Sequence, residues 1–127
     1  MSLWKFNDFE TEVDFTDVDF LERIEEAQSH LAHDQERVPI EGKASDIAKA
    51  QIECYDRFID RIFGDGTSQK IFKTRALSER VNAVVSLKVI EDRQAEEFNS
   101  TNSRYQVNKG NRAQRRAKQH QRKKYYN

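Results

Sequence analysis

Cysteine is nearly missing from this chain: 127 residues hold one, Cys54. A single thiol excludes an intrachain disulfide framework and a cysteine-rich zinc site, and it fits a reducing cytosol. Long apolar runs are missing too. None approaches the roughly 18–20 residues of a membrane span, and the acidic, aromatic N-terminus does not read as a secretion signal. Aliphatic content is thin: Leu, Ile, Val and Phe total 29 residues, 28 of them within residues 1–103. That share lies just above the roughly 20% at which disorder becomes the default, so any core belongs to residues 1–103. The length suits one domain of ordinary size. A small, soluble protein of the cytoplasm, without membrane association, is expected.

Neither sign of charge is in excess, with 22 basic and 22 acidic side chains. The distribution along the chain is uneven. Residues 1–36 carry 11 acids and 2 bases, residues 37–103 carry 11 of each, and residues 104–127 carry 9 bases and no acid. Such asymmetry points to ends with different functions, or to ends that meet within one molecule or between neighbours.

Leu3 to Phe15 is the one credible β region. Trp4 and Phe6 alternate with Lys5, Asn7-Asp8 supplies turn chemistry, and Thr11, Val13 and Phe15 alternate with Glu12 and Asp14. A short hairpin follows, with Trp4, Phe6, Val13 and Phe15 as its candidate buried face. Two strands alone are marginal in water, so the hairpin either packs on helices of its own chain, the simpler reading, or pairs its edge with another chain.

Thr16-Asp17 opens a first helix, in which Phe20, Leu21, Ile24, Ala27 and Leu31 follow helical spacing to about Arg37. The segment Val38-Pro39-Ile40-Glu41-Gly42 ends it. A second helix starts at Ser45-Asp46, with Ser45 as N-cap, and Ile47, Ala48, Ile52, Tyr55, Phe58, Ile59, Ile62 and Phe63 give it a wide apolar face. Gly64 stands where a left-handed residue ends a helix. Thr67 is placed to cap a short third helix carrying Ile71 and Phe72, and Ser78 to cap a fourth. There Leu77, Val81, Val84, Val85, Leu87 and Ile90 recur at three- and four-residue steps, with Phe98 extending the stripe. The expected fold is mainly α: an N-terminal β-hairpin, then a small bundle of about four helices over residues 1–103. A basic tail, disordered or transiently helical, occupies residues 104–127.

Chemistry-bearing residues do not assemble into a catalytic pattern. His30 and His33 share a helix face beside Asp34, but zinc needs three or four ligands and the rest of the chain offers neither a supporting cysteine nor a suitable histidine. Acidic pairs such as Asp17/Asp19, Glu25/Glu26 and Glu96/Glu97 sit on stretches that read as solvent-facing, without the burial that separates catalytic pKa values. Cys54 lies among apolar neighbours with no adjacent base, the setting of a packing residue. Gly64-Asp65-Gly66-Thr67 lacks the downstream Lys-Ser/Thr of a nucleotide loop, and a helix stop followed by a helix start accounts for it. No enzyme activity, metal or cofactor is expected.

The basic tail is the stronger signal. Lys109, Arg112, Arg115, Arg116, Lys118, Arg122, Lys123 and Lys124 form a dense positive run flanked by Tyr105, Tyr125 and Tyr126. It suits phosphate contact and base stacking, an acidic protein surface (a second copy's N-terminal segment included), or a solubilising role.

The stretch from Cys54 to Phe72, an aromatic-rich helix ending in Phe63-Gly64-Asp65-Gly66-Thr67 and followed by Ile71-Phe72, resembles small tail-assembly-chaperone-like proteins of long-tailed bacteriophages. The opening hairpin and the acidic entry Glu12-Val13-Asp14-Phe15-Thr16-Asp17 agree with that group, as does the basic run Asn111-Arg112-Ala113-Gln114-Arg115-Arg116. The resemblance spans most of residues 1–98. It implies a non-enzymatic protein of the infected host cell's cytoplasm that binds the tape measure protein, keeps it soluble and helps recruit tail tube protein. A client helix calls for an apolar groove; Phe58, Ile62, Phe63, Phe72, Val84 and Leu87 are the candidate lining, with ordinary core packing as the alternative for each. An exposed patch of that size also implies a client or a homo-oligomer. The rival functions are a nucleic-acid-binding accessory protein acting through the basic tail, and a structural tail or head-tail component that stacks through its opposite-charged ends.

Overall fold

The computed structural model describes residues 2–105. In chain order the elements are β1 (Ser2–Phe6), β2 (Phe9–Val13), α1 (Val18–Glu36), α2 (Ala44–Phe63), α3 (Thr67–Ile71) and α4 (Leu77–Tyr105). The fold is therefore mainly α, an antiparallel hairpin followed by four helices, as the sequence pattern implies. Residues to Gln94 form one compact unit, and α4 continues from Ala95 as part of a second. The greater part of the basic tail, with any helix in it, lies outside the described residues.

In the hairpin, Ser2 faces Val13, Trp4 faces Thr11 and Phe6 faces Phe9. Its two-residue turn puts Asn7 at φ 53°, a left-handed conformation that asparagine tolerates better than most side chains. Strand alternation then gathers Trp4, Phe6, Phe9 and Val13 on one face and Leu3, Lys5, Glu10 and Glu12 on the other. The first face holds the fully buried Trp4 and Val13; all four residues of the second are exposed. Lys5 stands opposite Glu10 on that outer face, and such charges discourage edge-to-edge pairing. Two details depart from the sequence expectation. Strand β2 starts at Phe9 rather than Thr11, because the tight turn brings Phe9 into register with Phe6. Phe15 lies past the strand and packs edge-on against Phe20, with ring centroids 5.2 Å apart.

Asp17 caps α1 by accepting a hydrogen bond from the Phe20 amide at 2.9 Å, and Ile24 and Ala27 carry its buried face. Helix α2 begins one residue before the expected cap: Lys43 holds the N-cap position without a side-chain hydrogen bond, and Ser45 is already helical. Gly64 ends the helix at φ 112°, ψ 155°, a positive φ open to glycine but not the left-handed helical conformation. That conformation falls to Gly66, at φ 86° and ψ −5°, which makes Gly66 the N-cap of α3 and Thr67 its first residue. The acceptor at this helix start comes from α2, where the Asp60 carboxylate receives the Ser68 amide at 2.8 Å. Likewise Ser78 lies inside α4, which starts at Leu77.

The face α4 buries is Arg80, Ala83, Leu87, Ile90 and Gln94. These steps of three and four make a single seam, but both of its ends are polar. Arg80 donates to the Asp56 carboxylate at 3.1 Å and to the carbonyls of Thr74 and Ala76, and its guanidinium lies 4.4 Å from the Phe72 ring centroid. Gln94 donates to the Val13 carbonyl at 2.9 Å and accepts from the Phe15 amide at 2.7 Å, the pair of bonds a neighbouring strand would make. Trp4 completes the closure, donating its indole N–H to Ser86 Oγ at 2.8 Å.

Candidate functional site

Of the six candidate groove residues, Phe58, Ile62, Phe72 and Leu87 are buried in the core, and Phe63 and Val84 are half-buried against it. The expectation of an exposed groove along these residues is corrected by what covers them. Trp4 stacks on Phe63 with centroids 4.9 Å apart, Phe9 meets Phe63 edge-on at 6.2 Å, and Phe6 meets Phe72 edge-on at 6.0 Å. The physical reason is mutual need. A two-stranded hairpin cannot shield its own aromatic face, and the face of α2 and α3 has the aromatic surface to receive it.

The apolar surface left over lies elsewhere. On α4, Val81, Val85 and Val89 are 39%, 54% and 49% exposed. At steps of four they form one ridge beside the buried seam. This corrects the assignment of Val81 and Val85 to a single buried stripe. Val89 was outside the sequence expectation, although its four-residue step from Val85 was the signal for it. Lys88 beside the ridge pairs with Glu91 and Asp92, at 3.6 and 3.4 Å.

A second feature lies between α1 and α2. An open cleft of about 230 Å³ is lined by Arg23, Glu26, Ala27, His30 and Arg61. The small Ala27 side chain leaves the space, and the longer side chains around it make the walls. Arg23 donates to the Ile62 carbonyl at 3.3 Å. Arg61 donates to Asp34 at 3.1 Å, and Arg57 reaches the same carboxylate oxygen at 3.2 Å. The Arg61 hydrogen bond, with Arg57 adding to it, holds the Asp34 carboxyl below its ordinary range although burial opposes the shift. Of the two histidines on α1, His30 lines this cleft and His33 stands 3.8 Å from Glu36.

Two further groups have shifted protonation. Burial raises Glu79, but the amides of Thr74 and Lys73 and the side chains of Asn7 and Thr74 outweigh it and hold the carboxyl below its usual value. Asn7 also donates to the Ile71 carbonyl at 2.7 Å, and Lys73 pairs with Asp8, so the hairpin turn is tied to the α3–α4 connection. Burial pushes the Cys54 thiol up, away from the thiolate that nucleophilic chemistry uses.

Among the described residues, no group of three or more His, Cys, Asp or Glu side chains is placed to hold a metal ion, and no helix is long and apolar enough to cross a membrane. The basic residues from Lys109 to Lys124 lie outside the described residues. No curated protein and no solved structure matches the chain. A family model does match, over residues 7–119, and so takes in the hairpin turn, all four helices and most of the basic segment. The chain belongs to this family, a family of unknown function designated DUF6673.

Proposed function

We propose that this protein is a phage tail assembly chaperone, a non-enzymatic protein that binds the tape measure protein in the host cytoplasm, keeps it soluble and assists assembly of the tail tube. The observation that carries the reading is the valine ridge Val81-Val85-Val89, exposed on a helix whose opposite face is committed to the core. Four-residue ridges are what one helix offers another for packing, and a long coiled-coil client presents apolar helical stripes that need cover. The resemblance carried by residues 54–72 supports the same role.

The test is co-expression of the full chain with the tape measure protein of the same genome, scoring client solubility and co-purification at low and high salt. Wild type is expected to keep the client soluble and to hold it in high salt, because apolar contacts are not screened. Replacing all three valines by serine is expected to leave the fold intact, since the side chains are exposed, and to release the client. A folded triple variant that holds the client as well as wild type overturns the ridge. A client that stays insoluble beside wild type, while the protein purifies with nucleic acid, overturns the chaperone role in favour of the basic tail.

A further inference from the structure

Positive charge is scarce at the start of this chain: Lys5 and Arg23 are the two bases of residues 1–36, against 11 acids. Arg23 is also the one Lys or Arg within α1. Yet this guanidinium stands over the cleft between α1 and α2 and bonds a neutral carbonyl. Among the described residues it enters no ion pair. On the opposite wall, two guanidiniums share one carboxylate, Arg57 and Arg61 on Asp34. Three guanidiniums therefore answer to two carboxylates, Asp34 and Glu26, and the imidazole of His30 adds a further donor beside them.

Positive charge left over in a walled space is the condition for binding an anion, and the geometry narrows the choice. Arg23 and Arg61 come from different helices, and each is anchored by one hydrogen bond. A guanidinium carries five N–H donors in a planar fork, so both keep donors free for a ligand held between them. Paired guanidiniums fit the oxygens of a tetrahedral oxyanion. We propose that the α1–α2 cleft is a binding site for a phosphate group, held by Arg23 and Arg61 with His30 as a third donor. Glu26 at the rim disfavours a bare trianion and admits a singly esterified or singly protonated phosphate. The site lies away from the valine ridge in sequence and is independent of the chaperone reading.

Residue-resolved NMR on the full chain tests it, because the basic residues 104–127 also attract phosphate and must be read separately. The probes are inorganic phosphate and adenosine monophosphate, each against sodium chloride at matched ionic strength. Both are expected to shift the backbone amides of Arg23, Ala27, His30 and Arg61 saturably; the tighter of the two tells free phosphate from a phosphorylated ligand. R23Q is expected to weaken binding about tenfold or more, and R23K to weaken it less, keeping the charge while losing the fork. His30→Asn, at an exposed position, is expected to weaken it several-fold and serves if R23Q disturbs the fold. Shifts that match those in chloride, that are confined to residues 104–127, or that survive both R23Q and His30→Asn overturn the site.

Discussion

Replacing Trp4 by alanine tests whether the hairpin belongs to the core or merely rests on it. The side chain is 1% exposed, its ring is stacked 4.9 Å from Phe63, and its N–H reaches Ser86. A buried aromatic removes about 150–250 Å² from water. At about 25 cal/mol per Å² this is worth about 4–6 kcal/mol, an upper figure because the unfolded chain already hides some of that area. Core Trp→Ala changes cost about 3–5 kcal/mol, a large part of the 5–15 kcal/mol typical of a whole domain. Trp4→Ala is therefore expected to lose about 3–5 kcal/mol in urea unfolding, followed by far-UV circular dichroism because the change removes the chain's one tryptophan. Trp4→Phe is the control. It keeps a stacked ring but deletes the indole N–H, while Ser86 retains its bond to the Ala83 carbonyl. Its expected cost is smaller, about 1–2 kcal/mol, near that of one hydrogen bond and a modest loss of volume. A Trp4→Ala loss below about 1 kcal/mol, with an unchanged urea slope, refutes the docking described above.

Gln94→Ala leaves the Val13 carbonyl and Phe15 amide without partners and is expected to cost about 1–3 kcal/mol. Gln94→Glu sets a carboxylate against the Val13 carbonyl and is expected to be worse at neutral pH; its deficit should shrink as the pH falls and the new acid regains a proton to donate, which thermal melts between pH 7 and pH 4 will show. Glu79 and Asp34 are both held below their ordinary pKa values in the folded protein. Their contribution is present in full above the unfolded carboxyl range and is lost as the pH drops through the folded values. Glu79→Gln is thus expected to lower Tm at pH 7 and to flatten the acid-side fall of the Tm–pH curve; a parallel curve shows that Glu79 contributes nothing to acid sensitivity.

Much of the architecture is legible in the residues themselves. Period-two alternation around Asn7-Asp8 locates the hairpin, and Asp17 marks the start of α1 by the same hydrogen bond the structure contains. Caps at the other helices are not local, and so they mislead. The acceptor at the start of α3 is Asp60, eight residues from the amide it receives, and α2 starts with no side-chain cap at all. The functional surface was obscured in a different way. Valines at 81, 84, 85 and 89 give α4 two adjacent apolar rows, and periodicity alone does not say which row turns inward. Arg80 and Gln94 make that choice, because their hydrogen-bond partners lie in the α3–α4 connection and the hairpin. A rule that counts apolar residues passes over both. Arg23 escaped notice for a related reason, since a lone base on an acidic helix gains meaning only when Arg61 is known to face the same cleft.

The hairpin's anchors span almost the whole compact unit: Trp4 to Ser86 is 82 positions, Val13 to Gln94 is 81, and Phe15 to Gln94 is 79. In a growing chain the hairpin leaves the ribosome first, and the residues that receive its indole and its strand edge emerge last. At roughly 5–20 residues per second, Trp4, Phe6 and Phe9 wait about 4–16 s for their partners. Closing so long a loop is also the slow step expected of contacts distant in sequence. The protein's own nascent chain thus passes through a stage in which an aromatic, unpaired strand surface needs protection, and the charged outer face of Lys5, Glu10 and Glu12 is the part of the hairpin that keeps it apart from its neighbours meanwhile.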